Sequence, residues 1–149
     1  LDLRKDIEAD FRKEKTKIKE IRMREIGFNK KTGSNIKLKI IEYNASNGKE
    51  FFLEFIDNED ILFGLLRLRI SNNKAIVREL HVYGQAINLG ERGNASQHKG
   101  IGKLLMEKAE EITKQNNIKK LSVISGIGVR EYYRKLGYNL EGNYMVKNL

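Results

Sequence analysis

Between Asn35 and Tyr83 the apolar residues recur at every second position, which narrows the possible folds more than any other feature of the chain. Ile36, Leu38 and Ile40 alternate with Lys37 and Lys39, and Phe51, Leu53 and Phe55 alternate with Phe52 and Glu54. Side chains repeating with period two belong to strands that bury one face. Asn47-Gly48 between these runs is a hairpin signal. Asp57-Asn58-Glu59-Asp60 breaks the chain before a third run, Ile61 to Ile70, and Ser71-Asn72-Asn73-Lys74 breaks it before a fourth, Ala75 to Tyr83. Strands in this order with short turns predict an antiparallel meander.

After Tyr83 the pattern changes. Gly84 to Ser96 reads as a loop, and structureless loops beyond about 12 residues in a compact domain tend to be functional or disordered, so this one is a candidate gate. It leads into Gln97-His98-Lys99-Gly100-Ile101-Gly102-Lys103. Glycines one residue apart at a helix start let backbone N–H groups converge on an anion, and the helix dipole adds to the attraction. Lys99 and Lys103 supply further positive charge, and His98 aids anion binding more plausibly than catalysis. The turn is not a Walker loop, because Gln97 replaces its first glycine and Leu104 its hydroxyl residue. Gly126-Ile127-Gly128 is not a dinucleotide fingerprint either, since Glu131 stands at the third glycine position.

The residues from about Gly102 to Gln115 have helical periodicity, and Leu121 to Ser125 reads as a strand parallel to the fourth. A short helix over about Val129 to Leu136 stops at Gly137 as a C-cap residue requires, and a closing hairpin turns at Glu141-Gly142-Asn143. At the other end, Leu3, Ile7 and Phe11 predict an amphipathic helix over residues 2 to about 16. Lys17 to Phe28 reads as a strand with Arg22 and Arg24 on a basic face. The expected division is residues 1–34 as helix and basic connector, and residues 35–149 as the main domain.

Lys and Arg outnumber Asp and Glu by 29 to 20, for a net charge of +9, which suits a polyphosphate cofactor or a nucleic acid without choosing between them. Absence of cysteine excludes disulfides, thiolate metal sites and a cysteine nucleophile, and no metal site is expected. No apolar run approaches the ~20 residues of a membrane span. The start Leu1-Asp2-Leu3 has neither an initiator Met nor a signal-peptide pattern, so the chain reads as a cytoplasmic piece of something longer.

Gln97-x-x-Gly100-x-Gly102 opening an amphipathic helix after a meander resembles the pyrophosphate motif of the GCN5-related N-acetyltransferases, GNAT. The resemblance implies an α/β (α+β) acyl-CoA N-acyltransferase fold: a mixed central sheet whose fourth and fifth strands splay around the pantetheine arm of acetyl-CoA. It assigns Leu80, His81, Val82 and Tyr83 and the turn Gln97, His98, Lys99, Gly100, Ile101, Gly102 and Lys103 to cofactor binding, with the backbone of Val82 and Tyr83 offering amides to the pantetheine.

Glu131-Tyr132-Tyr133-Arg134-Lys135-Leu136-Gly137-Tyr138 resembles the segment in which the family places a tyrosine against the thioester sulfur. Tyr133 matches that position, and its hydroxyl would protonate the departing thiolate. Tyr132 is the second candidate, and a core aromatic is the alternative for Tyr133. On the fourth strand Arg78, Leu80 and Val82 share one face and Glu79, His81 and Tyr83 the other. Glu79 and His81 form either a base that deprotonates an acceptor or a hydrogen-bonded structural pair.

Four runs narrow the resemblance: Arg78 to Gln85, Gln97 to Gly102, Val123 to Arg130 and Tyr132 to Tyr138, with Leu65 to Arg69 and Ile21 to Gly27 in support. Together they are similar to the C-terminal acetyltransferase domain of Elongator catalytic subunits. That family implies acetyl-CoA, the tRNA anticodon region as partner, and a carboxymethyl-type modification of wobble uridine. It also implies a radical domain with S-adenosylmethionine and an iron–sulfur cluster, for which this chain has no thiolate. A free-standing lysine or amine N-acetyltransferase and a non-catalytic tRNA-binding module with a vestigial cleft are the alternatives.

Overall fold

A computed structural model describes residues 2–14, 19–28, 35–83 and 100–149. Helix α1 (Leu3–Lys13) leaves Leu3, Ile7 and Phe11 exposed. Strands β1 (Lys37–Ala45), β2 (Gly48–Ile56), β3 (Leu62–Ser71) and β4 (Lys74–Val82) follow as the expected meander, each antiparallel to the next. The first hairpin turns on Ser46 and Asn47, both at positive φ, so Gly48 already belongs to β2, one residue from the predicted turn. The β3–β4 hairpin turns likewise on Asn72 and Asn73 at positive φ, which asparagine tolerates well.

Helix α3 (Ile101–Gln115) crosses one face of the sheet and returns the chain to β5 (Lys120–Ile124), parallel to β4. A 3₁₀ turn (Ile127–Val129), helix α4 (Arg130–Lys135) and the hairpin β6 (Asn139–Glu141) and β7 (Tyr144–Asn148) complete a seven-stranded sheet of order β1-β2-β3-β4-β5-β7-β6. The core lies between α3 and the sheet. Leu105, Met106, Ala109 and Ile112 of the helix pack with Leu53, Leu66, Leu68, Val77, Leu121, Val123 and Met145. Gly64 lets them approach: a Cβ there would stand 2.8 Å from the Ile101 Cγ2 atom and 3.1 Å from the His81 carbonyl. Gly137, at φ 88°, ends α4, with Tyr138 N–H bonded to the Tyr133 carbonyl and Gly137 N–H to that of Arg134. No helix among the described residues is long and apolar enough to cross a membrane.

The predicted strand with a basic face is corrected over residues 19–28. Glu20 caps a one-turn helix α2 (Ile21–Arg24) by accepting from the Met23 N–H, and a 3₁₀ turn (Ile26–Phe28) follows, leaving Glu25 as a single bridge to Leu62. Arg24 turns inward. Its guanidinium binds Glu54 at 2.7 Å and Asp60 at 3.0 Å, fastening this segment to the sheet face opposite α3. Helical winding thus separates Arg22, which is exposed, from Arg24, which is not.

Candidate active site

Strands β4 and β5 pair only from Ala75–Leu121 to Val77–Val123. Beyond that point β5 ends at Ile124 while β4 continues five residues to Val82, so the two strands part. The parting coincides with a bulge: Leu68 of β3 faces Val77 and the adjacent Arg67 faces Glu79, leaving Arg78 unpaired between them. A bulge inserts a residue into one strand and bends it away from its neighbour.

The bulge also corrects the predicted facing. Arg78 bonds Glu50 at 3.1 Å on the open face, together with Arg69, whereas Leu80 packs into the core beneath α3. Glu79 and His81 do share the open face. Glu79 lies 3.0 Å from the His81 Nε2 atom and 3.1 Å from the Arg67 Nε atom, holding its carboxylate between two cationic or proton-donating groups. Arg67 in turn lies over the Phe52 ring at 5.6 Å.

Tyr83 donates its N–H to the Phe63 carbonyl of β3. Successive strand amides point to opposite edges, so Leu80 and Val82, not Tyr83, turn their N–H groups toward the opening. Burial first, then the carboxylates of Glu25 and Glu79, raise the Tyr83 hydroxyl pKa.

The opening faces the start of α3. Gly100 enters the helix at φ 88°, a conformation that glycine adopts without strain, and no side chain among the described residues caps the helix. The first intrahelical bond runs from Leu104 N–H to the Gly100 carbonyl, so the amides of Ile101, Gly102 and Lys103 have no partner within the helix. Lys103 lies on the outside of this turn, 3.8 Å from Glu107. Gln97, His98 and Lys99 and the Gly84–Ser96 loop lie outside the described residues.

Tyr132 reaches from α4 across the mouth: a Cβ on Gly102 would stand 2.5 Å from its hydroxyl and 3.3 Å from the Val82 Cγ2 atom. Tyr132 is 39% exposed, whereas Tyr133 is only 5% exposed, packed edge-on against Tyr132 and Tyr138. Burial, with a smaller contribution from Tyr132, pushes the Tyr133 hydroxyl up to about 12. It is therefore a neutral proton donor through the neutral range. Across the opening, the Ser125 Oγ and Arg130 Nε atoms are buried without a hydrogen-bond partner. Orphaned donors and helix amides without an intrahelical partner are groups that an anionic, hydrogen-bonding ligand can satisfy.

Sequence reasoning missed Gly64 and Arg67 as parts of this site. A lone glycine inside a strand pattern signals a close approach and points to the former. Arg67 needed the strand register, which places it opposite Glu79.

An acetyltransferase (GNAT) domain model matches residues 39–148. The chain is 43% identical over 146 residues to the tRNA uridine(34) acetyltransferase of Dehalococcoides mccartyi, covering 87% of this chain and 32% of that one. It is 45% identical over 150 residues to Elongator complex protein 3 of Schizosaccharomyces pombe, covering 89% and 28%. The chain thus spans about a third of the length of these relatives. Among solved structures, the archaeal Methanocaldococcus infernus Elp3 with an N-terminal deletion superposes with a TM-score of 0.80 at 40% identity, over 97% of this chain and 38% of that one. The PaiA N-acetyltransferase of Thermoplasma acidophilum, in complex with coenzyme A, gives 0.51 at 25%, over 67% and 61%. A family match over most of the chain, on a sheet that parts beside an uncapped glycine-rich helix start, means that the chain belongs to the GNAT acetyltransferases and is closely related to the acetyltransferase domain of Elongator complex protein 3.

Proposed function

We propose that this chain is the acetyl-CoA-binding acetyltransferase module of an enzyme that modifies the wobble uridine of tRNA in the cytoplasm. The observation that carries the reading is the uncapped start of α3 facing the parted ends of β4 and β5. The amides of Ile101, Gly102 and Lys103 would hold the pyrophosphate, with Gln97, His98, Lys99 and Gly100 completing the turn. The Leu80 and Val82 backbone edge would hold the pantetheine, and Ser125 and Arg130 would donate to its carbonyls.

Acetyl-CoA would supply an activated acetyl thioester. Tyr133, kept neutral by burial, would be the proton source for a departing sulfur, and Tyr132 would close the mouth over it. Glu79, steadied by Arg67 and His81 on the opposite face, would take a proton from the acceptor. The iron–sulfur and S-adenosylmethionine chemistry implied by the Elongator relatives has no cysteine ligand in this chain and would belong to a separate radical domain.

Calorimetric titration with acetyl-CoA tests the reading. The parent chain should bind, and a folded Gly102→Glu variant, with bulk and negative charge at the amides, should lose at least ~10-fold in affinity. Unchanged affinity would remove the α3 start from the cofactor site.

A further inference from the structure

We infer a second, RNA-binding site at the far end of the same open sheet face: a groove of about 530 Å³ where β4, β5 and β7 meet. On the open face its floor is made by Ile76, Ser122 and Val146, and Ala75 and Ile118 join the lining from the edge of the core. Lys74, Lys119 and Tyr144 stand on its rim, with the carboxamides of Asn73 and Asn117 beside them. The inference rests on the tRNA reading above and extends it to a contact remote from the cofactor.

Three observations favour a single-stranded nucleotide segment as the occupant. The first is charge. The sheet-face arginines already have carboxylate partners, Arg24 in Glu54 and Asp60, Arg67 in Glu79, and Arg69 and Arg78 in a shared Glu50. In the groove the only carboxylate, Glu141, is held by Lys120 at 2.9 Å, leaving Lys74 and Lys119 with no carboxylate in ion-pair reach among the described residues. Uncompensated lysines are what a phosphodiester requires.

The second is chemistry. Tyr144 is 43% exposed at the start of β7, offering a ring on which a base can stack, and amides at a groove edge pair with base edges. The volume lies within the ~300–1,000 Å³ range of small-ligand clefts, enough for a nucleotide unit.

The third is placement. The register puts Ile76, Ser122, Val146, Ile124 and Tyr144 on one face, the same face that carries Glu79 and His81 beyond the bulge. Lys74 and Val82 begin and end β4, about 26 Å apart at ~3.3 Å per residue. RNA gripped in the groove can thus run along the open face toward Glu79 and His81, while acetyl-CoA occupies the cleft beside α3.

The test is fluorescence anisotropy of the whole chain with labelled oligouridylate and with an anticodon stem-loop RNA, over a series of salt concentrations. Lys74→Glu combined with Lys119→Glu should weaken binding at least ~10-fold and reduce the salt slope by about 1.4, at ~0.7 per lost phosphate contact. Tyr144→Leu should weaken binding and leave the slope unchanged. Both variants should bind acetyl-CoA as the parent does. RNA affinity equal to the parent's in the double variant, or no RNA binding by the parent itself, would overturn the groove assignment. Loss of acetyl-CoA binding by the parent would instead overturn the cofactor reading, so the two failures are distinguishable.

Discussion

The hydroxyl of Tyr132 lies 2.5 Å from the point that a Cβ on Gly102 would occupy, so two helices far apart in sequence meet over the mouth between β4 and β5. The missing methyl group at residue 102 is the room in which that hydroxyl sits. Alanine favours a helix over glycine by about 1 kcal/mol, yet here its methyl would push the tyrosine away. We predict that Gly102→Ala is close to neutral in the parent and stabilising by about 0.5–1 kcal/mol in a Tyr132→Ala background. Urea unfolding of the four proteins measures the coupling, and equal effects in both backgrounds would rule out the contact.

The Arg24–Glu54 pair carries a second prediction. Glu54 is only 1% exposed, and Arg24 supplies its charge partner from outside the sheet. Arg24→Leu strands a buried carboxylate and should cost about 3–5 kcal/mol, whereas adding Glu54→Leu should recover part of that loss. Urea midpoints of the single and double variants decide it. A loss under about 1 kcal/mol, the scale of exposed pairs such as Lys108–Glu111, would mean that Glu54 is solvated.

The meander and α3 were legible in the sequence because their periodicities are long and each buries one continuous face. Gly137 was legible because a single αL position admits few residues. The Ile21 to Phe28 segment misled because alternation of Ile, Arg and Met over so few residues suits a strand and a single helical turn alike, and the tie is broken by Arg24 reaching carboxylates 30 and 36 residues away. Arg78 misled for a different reason. Strict alternation assumes an unbroken ladder, and nothing local at Arg78 announces that β4 carries one residue more than β3. Gly102 was legible as part of a glycine-bearing helix start, but its contact with Tyr132 depends on how α4 packs across the mouth.

Glu79 should separate chemistry from binding. In acetyl transfer to the acceptor, Glu79→Gln keeps the shape of the Arg67 and His81 contacts and removes the proton acceptor. Turnover should fall about 10²–10⁴-fold with acetyl-CoA affinity unchanged. His81→Asn, which leaves the carboxylate with Arg67, should cost less. Equal turnover for Glu79→Gln would make the Glu79–His81 pair structural.

Tyr133 ties the site to the alkaline stability of the fold. Its hydroxyl titrates near 10 in an unfolded chain and near 12 in the folded one, because burial disfavours the tyrosinate. Between those values the unfolded state releases a proton that the native state keeps, so unfolding becomes easier as pH rises. The contribution is fully present below about pH 10 and lost through about pH 12. Tyr133→Phe should remove that part of the slope, leaving the parts due to Tyr83, Tyr132 and Tyr138, whose hydroxyls burial also raises, the last with help from its bond to Glu110. The unfolding free energy of the parent minus that of the variant should therefore be constant below about pH 10 and fall as pH rises toward 12. Parallel curves, or tyrosinate absorbance that appears for Tyr133 near pH 10 in the folded protein, would show that the hydroxyl is solvated and would remove it as the neutral proton source.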